Sequence, residues 1–310
     1  MFDEEANRGL FNPVSTTEIH DVFLSFHGDK SPGQDGWTVE LFTHFFDLFQ
    51  SDLVNLVEKS WVLGTIHPHL NSTCIALIPK KPITHTFSDF RPISLCNLVY
   101  KIISKSIANR LKPILSSFIS PQQFGFLKHR QIHDVVAMAQ ECLHSIHSKK
   151  LEAAIMKVDL KKAFDCLDWV YLRLVLDKIG IQPPTIEWSM AYVTNVQFAV
   201  IISGYLTTYF KAGKGLRQGC SLSPLLFILA LDGLSLHISD DVATRHFLPL
   251  KIGRNIRISH RFFVDNVLIM GLLNKFAWLH LFQFFNRFGN ANGLNMNQSK
   301  SVIMNALGIY

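Results

Sequence analysis

The chain of 310 residues is 48% hydrophobic and only 17% charged, with 25 phenylalanines, which excludes intrinsic disorder, since that needs low hydrophobicity and high net charge. Its apolar residues fall in short runs such as Leu225–Leu231, which ends at Asp232, whereas a membrane-spanning helix needs about 20 residues; no span is predicted. The net charge of +6 is uneven, −8 over residues 1–69, +8 over 70–150 and +6 over 151–310, so the middle segment either meets a polyanion or balances the acidic N-terminal stretch.

The start, Met1-Phe2-Asp3-Glu4-Glu5, lacks the basic-then-apolar order of a signal peptide, and an intracellular location, nucleus or cytoplasm, is expected. Ser15 and Glu18 read as a capping box opening a helix that Gly28 closes. Ser31-Pro32-Gly33-Gln34-Asp35-Gly36 is turn chemistry. The helical spacing of Val39, Phe42, Phe46, Phe49, Leu53, Leu56 and Val57 predicts one helix from Thr38 to about Leu63. Cys74–Ile78 reads as a strand entering the basic turn Pro79-Lys80-Lys81-Pro82. Ser94 is predicted to cap a long helix to about Leu111, and another runs from about His133 to Ser148. Cys142, His144 and His147 share that last helix without a fourth ligand nearby, which favours an ordinary helix face over a zinc site. The five cysteines lie far apart with no C-x-x-C pair, so no disulfide framework is indicated.

Ala153–Leu160 is an apolar strand bearing Asp159 at its end. Helices are predicted over Asp168–Ile179, Glu187–Asn195 and Ser223–His237, with a hairpin of Gln197–Ser203 and Tyr205–Lys211 joined at Gly204. Phe262–Val264 and Val267–Met270 form a second hairpin around Asp265-Asn266. A helix from Asn274 to Phe288 stops at Gly289, and a last strand surrounds Lys300. Helices and strands mix throughout, so the class is α+β or mixed α/β.

Asp159 ends a buried strand and Asp265 sits at a hairpin tip. Singly, each reads as a turn residue. Paired on neighbouring strands they make a minimal cage for Mg²⁺, which takes hard oxygen ligands. Two such ions can clamp the attacking and leaving oxygens of a phosphoryl transfer.

At these residues the chain resembles a family. AIMKVDLKKAFDCLDW (154–169), GLRQGCSLSPLLF (215–227) and Phe263-Val264-Asp265-Asn266 are similar to successive palm motifs of reverse transcriptases, most closely those of plant LINE-type (non-LTR) retrotransposons. SPGQDGWTVELF, IALIPKKP, DFRPISLCNLVYKIISKSIANRLKPIL and SPQQFGFLKHRQIHD precede them and GLNMNQSKS follows, in the family's order, from about Ser31 to Ser301. The resemblance implies an α+β right-hand polymerase fold: N-terminal extension and helical fingers over 1–150, and a small antiparallel palm sheet packed on helices over 151–310, ending before a thumb. It implies an RNA-directed DNA polymerase that adds deoxynucleoside triphosphates to a DNA primer on an RNA template, with two Mg²⁺ ions, or Mn²⁺ in their place.

By the same resemblance Asp159 and Asp265 are metal ligands, and Phe164 lies under the incoming sugar, where its ring would clash with a 2′-OH. Lys80, Lys81 and Arg91 meet the triphosphate, the Arg91 fork suiting phosphate bidentately. Arg217, Gln218 and Gly219 line the nascent base pair, and Lys300 is a candidate general acid for the leaving pyrophosphate. The departure is Asn266, where the family carries a second consecutive Asp; Asn keeps a carbonyl oxygen but loses the charge. That leaves two readings, an impaired polymerase or an inactive retrotransposon relic that only binds nucleic acid. An intron maturase-like protein is a third, less well matched by LCNLVYK and GLRQGCSLSP.

Overall fold

The computed structural model describes residues 4–26, 28, 31–306 and 308–309. Helices α1 (Glu4–Leu10), α2 (Thr16–Leu24), α3 (Val39–His44), α4 (Phe46–Leu63) and α5 (Pro68–Asn71) precede strands β1 (Ser72–Pro79) and β2 (Phe90–Cys96). Then come α6 (Leu98–Phe118), α7 (Ile132–Ser148), β3 (Ala153–Asp159), α8 (Ala163–Cys166), α9 (Trp169–Lys178) and α10 (Pro183–Val193). Strands β4 (Gln197–Ile202), β5 (Tyr205–Leu206) and β6 (Phe210–Lys211) lead to α11 (Ser223–Ala243) and the hairpin of β7 (Leu250–Ile252) and β8 (Ile256–Ile258). Beyond it lie β9 (His260–Phe263), β10 (Asn266–Leu272), α12 (Lys275–Asn292), β11 (Val302–Asn305) and β12 (Gly308–Ile309). Among the described residues no helix is long and apolar enough to cross a membrane. The fold is α+β, with largely antiparallel sheets packed against helices.

The chain forms two compact units, residues 1–114 with 172–225, and residues 115–171 with 226–310. In the first, the sheet runs β2-β1-β4-β5 with β6 also on β4. β1 pairs antiparallel with β2 and parallel with β4. Helices α2 to α4 bury an aromatic cluster, in which Phe42 and Phe46 both pack on Phe23 at 6.0 and 5.6 Å between ring centres. Trp188 of α10 is buried and donates from Nε1 to Ser60 Oγ at 3.1 Å.

In the second unit every strand pairing of the sheet β12-β11-β3-β10-β9 is antiparallel. β3 lies between β11 and β10, and Ala153, Ala154, Ile155, Met156 and Val158 are all buried. That is why its sequence is a nearly unbroken apolar run rather than an alternating one. α11 is apolar on all sides over Leu225–Leu231 and is buried on all sides there, as such a helix must be.

Several boundaries differ from the sequence reading, each where tertiary pairing overrides local preference. Ser15 does cap α2, accepting from the Glu18 amide at 3.1 Å, but the Glu18 side chain pairs with Arg110 at 2.7 Å and the helix ends at Leu24, short of Gly28. The 38–63 helix breaks at Phe45, which is exposed. Ser94 caps nothing. It lies inside β2 opposite Ile75, its amide donating to the Gln218 carbonyl at 2.9 Å, and α6 starts only at Leu98. α10 starts at the Pro183-Pro184 pair, where proline is at home. The second arm of the 197–211 hairpin is split into β5 and β6. α11 runs past His237 to Ala243, and α12 runs through Gly289 to Asn292, capped by Gly293 in the left-handed region. The last strand starts at Val302, after Lys300 rather than around it.

His260, on β9, is fully buried between two hydroxyls, Ser235 Oγ at 2.8 Å from Nε2 and Ser259 Oγ at 2.9 Å from Nδ1. Burial, helped by the Arg261 charge, pushes its pKa from 6.5 down to about 3. A histidine depressed in the folded state contributes stability that is complete above its unfolded pKa and is lost as pH falls. Between pH 6.5 and about 3 the folded protein should therefore lose roughly 1.4 kcal/mol per pH unit from this group. Urea unfolding across that range should show a shallower acid slope for His260→Gln than for the native chain; equal slopes would remove His260 from the account.

Candidate active site

The site grows from the register of β3 against β10. Asn266 is the cross-strand partner of Asp159, and Val267 of Val158. The β9–β10 turn closes between Phe263 and Asn266, so its loop residues are Val264 and Asp265, one position earlier than the Asp265-Asn266 pair predicted. Val264 has φ +57°, a costly conformation for a β-branched residue. Asp265 thus stands at the tip beside the end of β3, and both carboxylates belong to one edge of one sheet.

Electrostatics agrees with that placement. Burial raises the pKa of Asp265, and the neighbouring Asp159 charge raises it further. Asp159 is oriented by Asn297, whose Nδ2 donates to its Oδ1 at 3.2 Å and whose amide donates to its carbonyl at 2.8 Å. Its own amide donates to Ser301 Oγ at 3.2 Å. Asn266 Nδ2 reaches Asp265 Oδ1 at 3.4 Å. The side chains fit a divalent cation: paired hard oxygens, half-buried, one of them with its pKa raised by burial and by the other's charge.

The strained turn is clamped by a segment that composition alone did not mark. Gln123, fully buried, accepts at Oε1 from the Val264 amide at 3.1 Å and the Gly125 amide at 2.9 Å. The Phe124 amide donates to the Phe262 carbonyl, and the Phe262 amide to the Gln122 carbonyl, both at 2.8 Å. A Cβ on Gly125 would lie 2.6 Å from Val264 Cγ2, so only glycine lets this segment reach the turn. Arg130 braces the clamp, donating to the Ser120 and Gln123 carbonyls at 2.7 Å each. Ser120 in turn donates from its amide at 3.0 Å to Asp232 on α11.

Phe164 is half-buried and stacks on the buried Phe227 at 4.5 Å and 16°. Lys300 is exposed, and its amide donates to the Asn297 carbonyl at 3.1 Å. These residues share the second unit with Asp159, Asp265 and Asn266. The other candidates belong to the first unit. Lys80 donates from Nζ to the Ser88 carbonyl at 2.9 Å, and Lys81 pairs with Asp89 at 2.7 Å. That pair, with amide donors from His85 and Thr86, holds the Asp89 carboxyl well below the usual range. Arg91 is exposed on β2 opposite Ile78. Arg217 is buried, stacked 4.1 Å over the Tyr100 ring and donating from Nη2 to the Asn71 carbonyl at 3.1 Å and to its Oδ1. It braces its loop from within. Gln218 accepts from the Ser94 amide at 2.9 Å. Gly219 has φ +106°, with the Ser94 carbonyl 3.2 Å from where a Cβ would sit.

Comparison with known proteins bears on this geometry. Residues 78–309 match the family model described as reverse transcriptase (RNA-dependent DNA polymerase). Over 232 residues the chain is 31% identical to the Xenopus laevis transposon TX1 149 kDa protein, covering 75% of this chain and 18% of that one. It is 25% identical over 239 residues to the Pol polyprotein of the Drosophila melanogaster element R2DM, covering 77% and 22%. It is 28% identical over 235 residues to the RNA-directed DNA polymerase of the Drosophila element jockey, covering 72% and 25%. The chain thus spans a quarter or less of each of these relatives. Telomerase from Candida albicans shares the fold, with TM-score 0.56 and 15% identity over 80% of this chain and 47% of that one. The chain belongs to the reverse transcriptase family, as a domain of non-LTR retrotransposon type.

Two measurements probe the site without requiring activity. Removing the Gln123 side chain leaves the buried Gly125 amide and the part-buried Val264 amide without their acceptor, which costs about 1–3 kcal/mol. Gln123→Ala should lower unfolding free energy by that amount and raise hydrogen exchange selectively at the 263–266 turn; uniform change would mean no clamp. For Asp265, a carboxyl whose folded pKa is raised above 3.8 makes the folded state less stable as pH rises through that raised value. In chelator at neutral pH, Asp265→Asn should therefore melt higher than the native chain, and the gain should vanish below pH 3.8.

Proposed function

We propose that this domain is an RNA-directed DNA polymerase that extends a DNA primer on an RNA template. The observation that carries the reading is the placement of Asp159, at the end of β3, beside Asp265, in the adjoining β9–β10 turn, close enough for one charge to raise the other's pKa. We assign extension and fingers to residues 1–150 and palm to 151–310; the wording of LCNLVYK and GLRQGCSLSP favours the LINE group over an intron maturase, and the motif resemblance as a whole is to elements of the plant kind.

Asp159 and Asp265 would hold Mg²⁺, with Mn²⁺ as substitute; bound there, two ions supply Lewis-acid stabilisation of charge on the attacking and leaving oxygens. Asn297 fixes the Asp159 carboxylate, and Asn266 turns its amide toward Asp265, orienting the ligand where a third carboxylate would have added charge. Phe164, held flat on Phe227, presents a ring against which a 2′-OH clashes, selecting deoxynucleotides. Lys80, Lys81 and Arg91 neutralise the triphosphate. Gln218 and Gly219, held on Ser94 and braced by Arg217, border the nascent pair. Lys300 delivers a proton to the pyrophosphate.

Primer extension on an RNA template tests this. The native chain should extend slowly and Asp159→Ala not at all. A third carboxylate worth about 3 kcal/mol makes Asn266→Asp roughly a hundredfold faster. No extension by folded Asn266→Asp in either Mg²⁺ or Mn²⁺ would sink the proposal.

A further inference from the structure

Apart from the carboxylate pair, α11 and α12 bring together His237, Asp241 and His280, whose ligating atoms all lie within 4.8 Å of one another. His237 and Asp241 are one turn apart on α11, and His280 comes from α12. Asp241 is buried, with side-chain exposure of 5%, and imidazoles surround its carboxylate: His237 Nε2 at 3.5 Å from Oδ2, His280 Nε2 at 3.5 Å and His246 Nδ1 at 3.9 Å from Oδ1.

These separations are too long for good hydrogen bonds. The two 3.5 Å separations, one to each carboxylate oxygen, lie close to the distance between two ligand atoms of one tetrahedral ion, and the two imidazole nitrogens lie within 4.8 Å of each other. With Zn–N and Zn–O bonds of about 2.0–2.2 Å, the tetrahedral edge is about 3.4 Å. His237 Nε2 supplies an independent sign: it is buried and has no hydrogen-bond partner, which is uncommon for a buried polar atom. The ring is not free to turn away, because Phe284 stacks on it at 3.4 Å and 13°. The Phe247 amide fixes the Asp241 backbone, donating to its carbonyl at 3.0 Å. His246 is exposed and its Nδ1 shares a hydrogen bond of 3.1 Å with Thr244 Oγ1, so it is an adjustable fourth group.

We propose that His237, Asp241 and His280 bind a zinc ion, with His246 or water completing the tetrahedron, and that the ion pins the last turns of α11 to α12. Imidazole nitrogen with one carboxylate oxygen suits zinc, whereas Mg²⁺ and Ca²⁺ take all-oxygen shells. The assignment is independent of the polymerase reading.

The test uses the full chain, stripped with chelator and titrated with zinc chloride against a chromophoric zinc indicator, with excess Mg²⁺ present. One zinc per chain is expected. His280→Ala and Asp241→Asn should each weaken binding by at least about a hundredfold, beyond the loss of an outer-shell partner, while Asp159→Ala leaves the titration unchanged. Zinc should raise the melting temperature of the native chain and not of His280→Ala. Because an alanine variant can fail through misfolding, His280→Cys is the companion: it should recover binding and, loaded with Co²⁺, gain thiolate charge-transfer absorption. Absence of stoichiometric zinc in the native chain overturns the proposal. So does undiminished affinity in the folded His280→Ala or Asp241→Asn protein, which would put the metal on the cysteines.

Discussion

The pairing of β3 with β10 determines where the two carboxylates of the second unit's sheet can stand. Side chains alternate along a strand with period two, so a slip of one residue would turn Asp159 away from Asp265 and carry a whole row of apolar side chains out of the core. Here that row is Ala154, Met156 and Val158 on one strand and Val267 and Ile269 on the other, all buried. The hydrophobic effect therefore sets the register, and the register sets the carboxylates. Asp159 occupies the last position of β3, where the strand leaves the apolar interior and charge can be tolerated.

At the tip the ordinary rules are broken together. A valine takes a left-handed φ, an aspartate is half-buried beside another, and a glutamine side chain is buried without exposure. A residue in such a backbone region costs about 1–3 kcal/mol and persists only where its surroundings over-determine it. The surroundings here are the Gln123 hydrogen bonds, the paired backbone of Gln122 and Phe124 with Phe262, and the Arg130 and Asp232 bracing. SPQQFGF thus belongs to the candidate site in physical terms, because it holds the turn that carries Asp265.

What could be read in the sequence follows from how local each signal is. An apolar run ending in Asp, and two short runs parted by turn residues, reveal β3 and the β9–β10 hairpin because strand pattern and turn chemistry need only neighbours. Gln123 and Asn297 carry no such pattern; amides become informative only when the fold shows which carbonyl or carboxylate they face. Ser94 misleads for the same reason, since a serine before an apolar stretch suits a cap as well as a strand paired to β1. The histidines show the limit most sharply. Cys142, His144 and His147 are close in sequence, yet Cys142 points into the core, its thiol pushed up to about 11 by burial, while His144 and His147 point out. The histidines that do converge are drawn from 237, 246 and 280, with Asp241, and only the packing of two helices joins them.

Asn266 is best understood through charge. It faces Asp159 across the ladder and touches Asp265, so a carboxylate there would put three negative charges on one small sheet edge. Without cations, each added charge raises the proton affinity of its neighbours and weakens the folded hairpin. With cations, the same charge strengthens ligation. Asparagine keeps the shape and a donor to Asp265 while removing the charge, which relaxes a tip already strained at Val264. The residue that lowers the expected rate is also the one that makes the metal-free turn easier to hold, and the two effects are a single electrostatic term read with opposite signs.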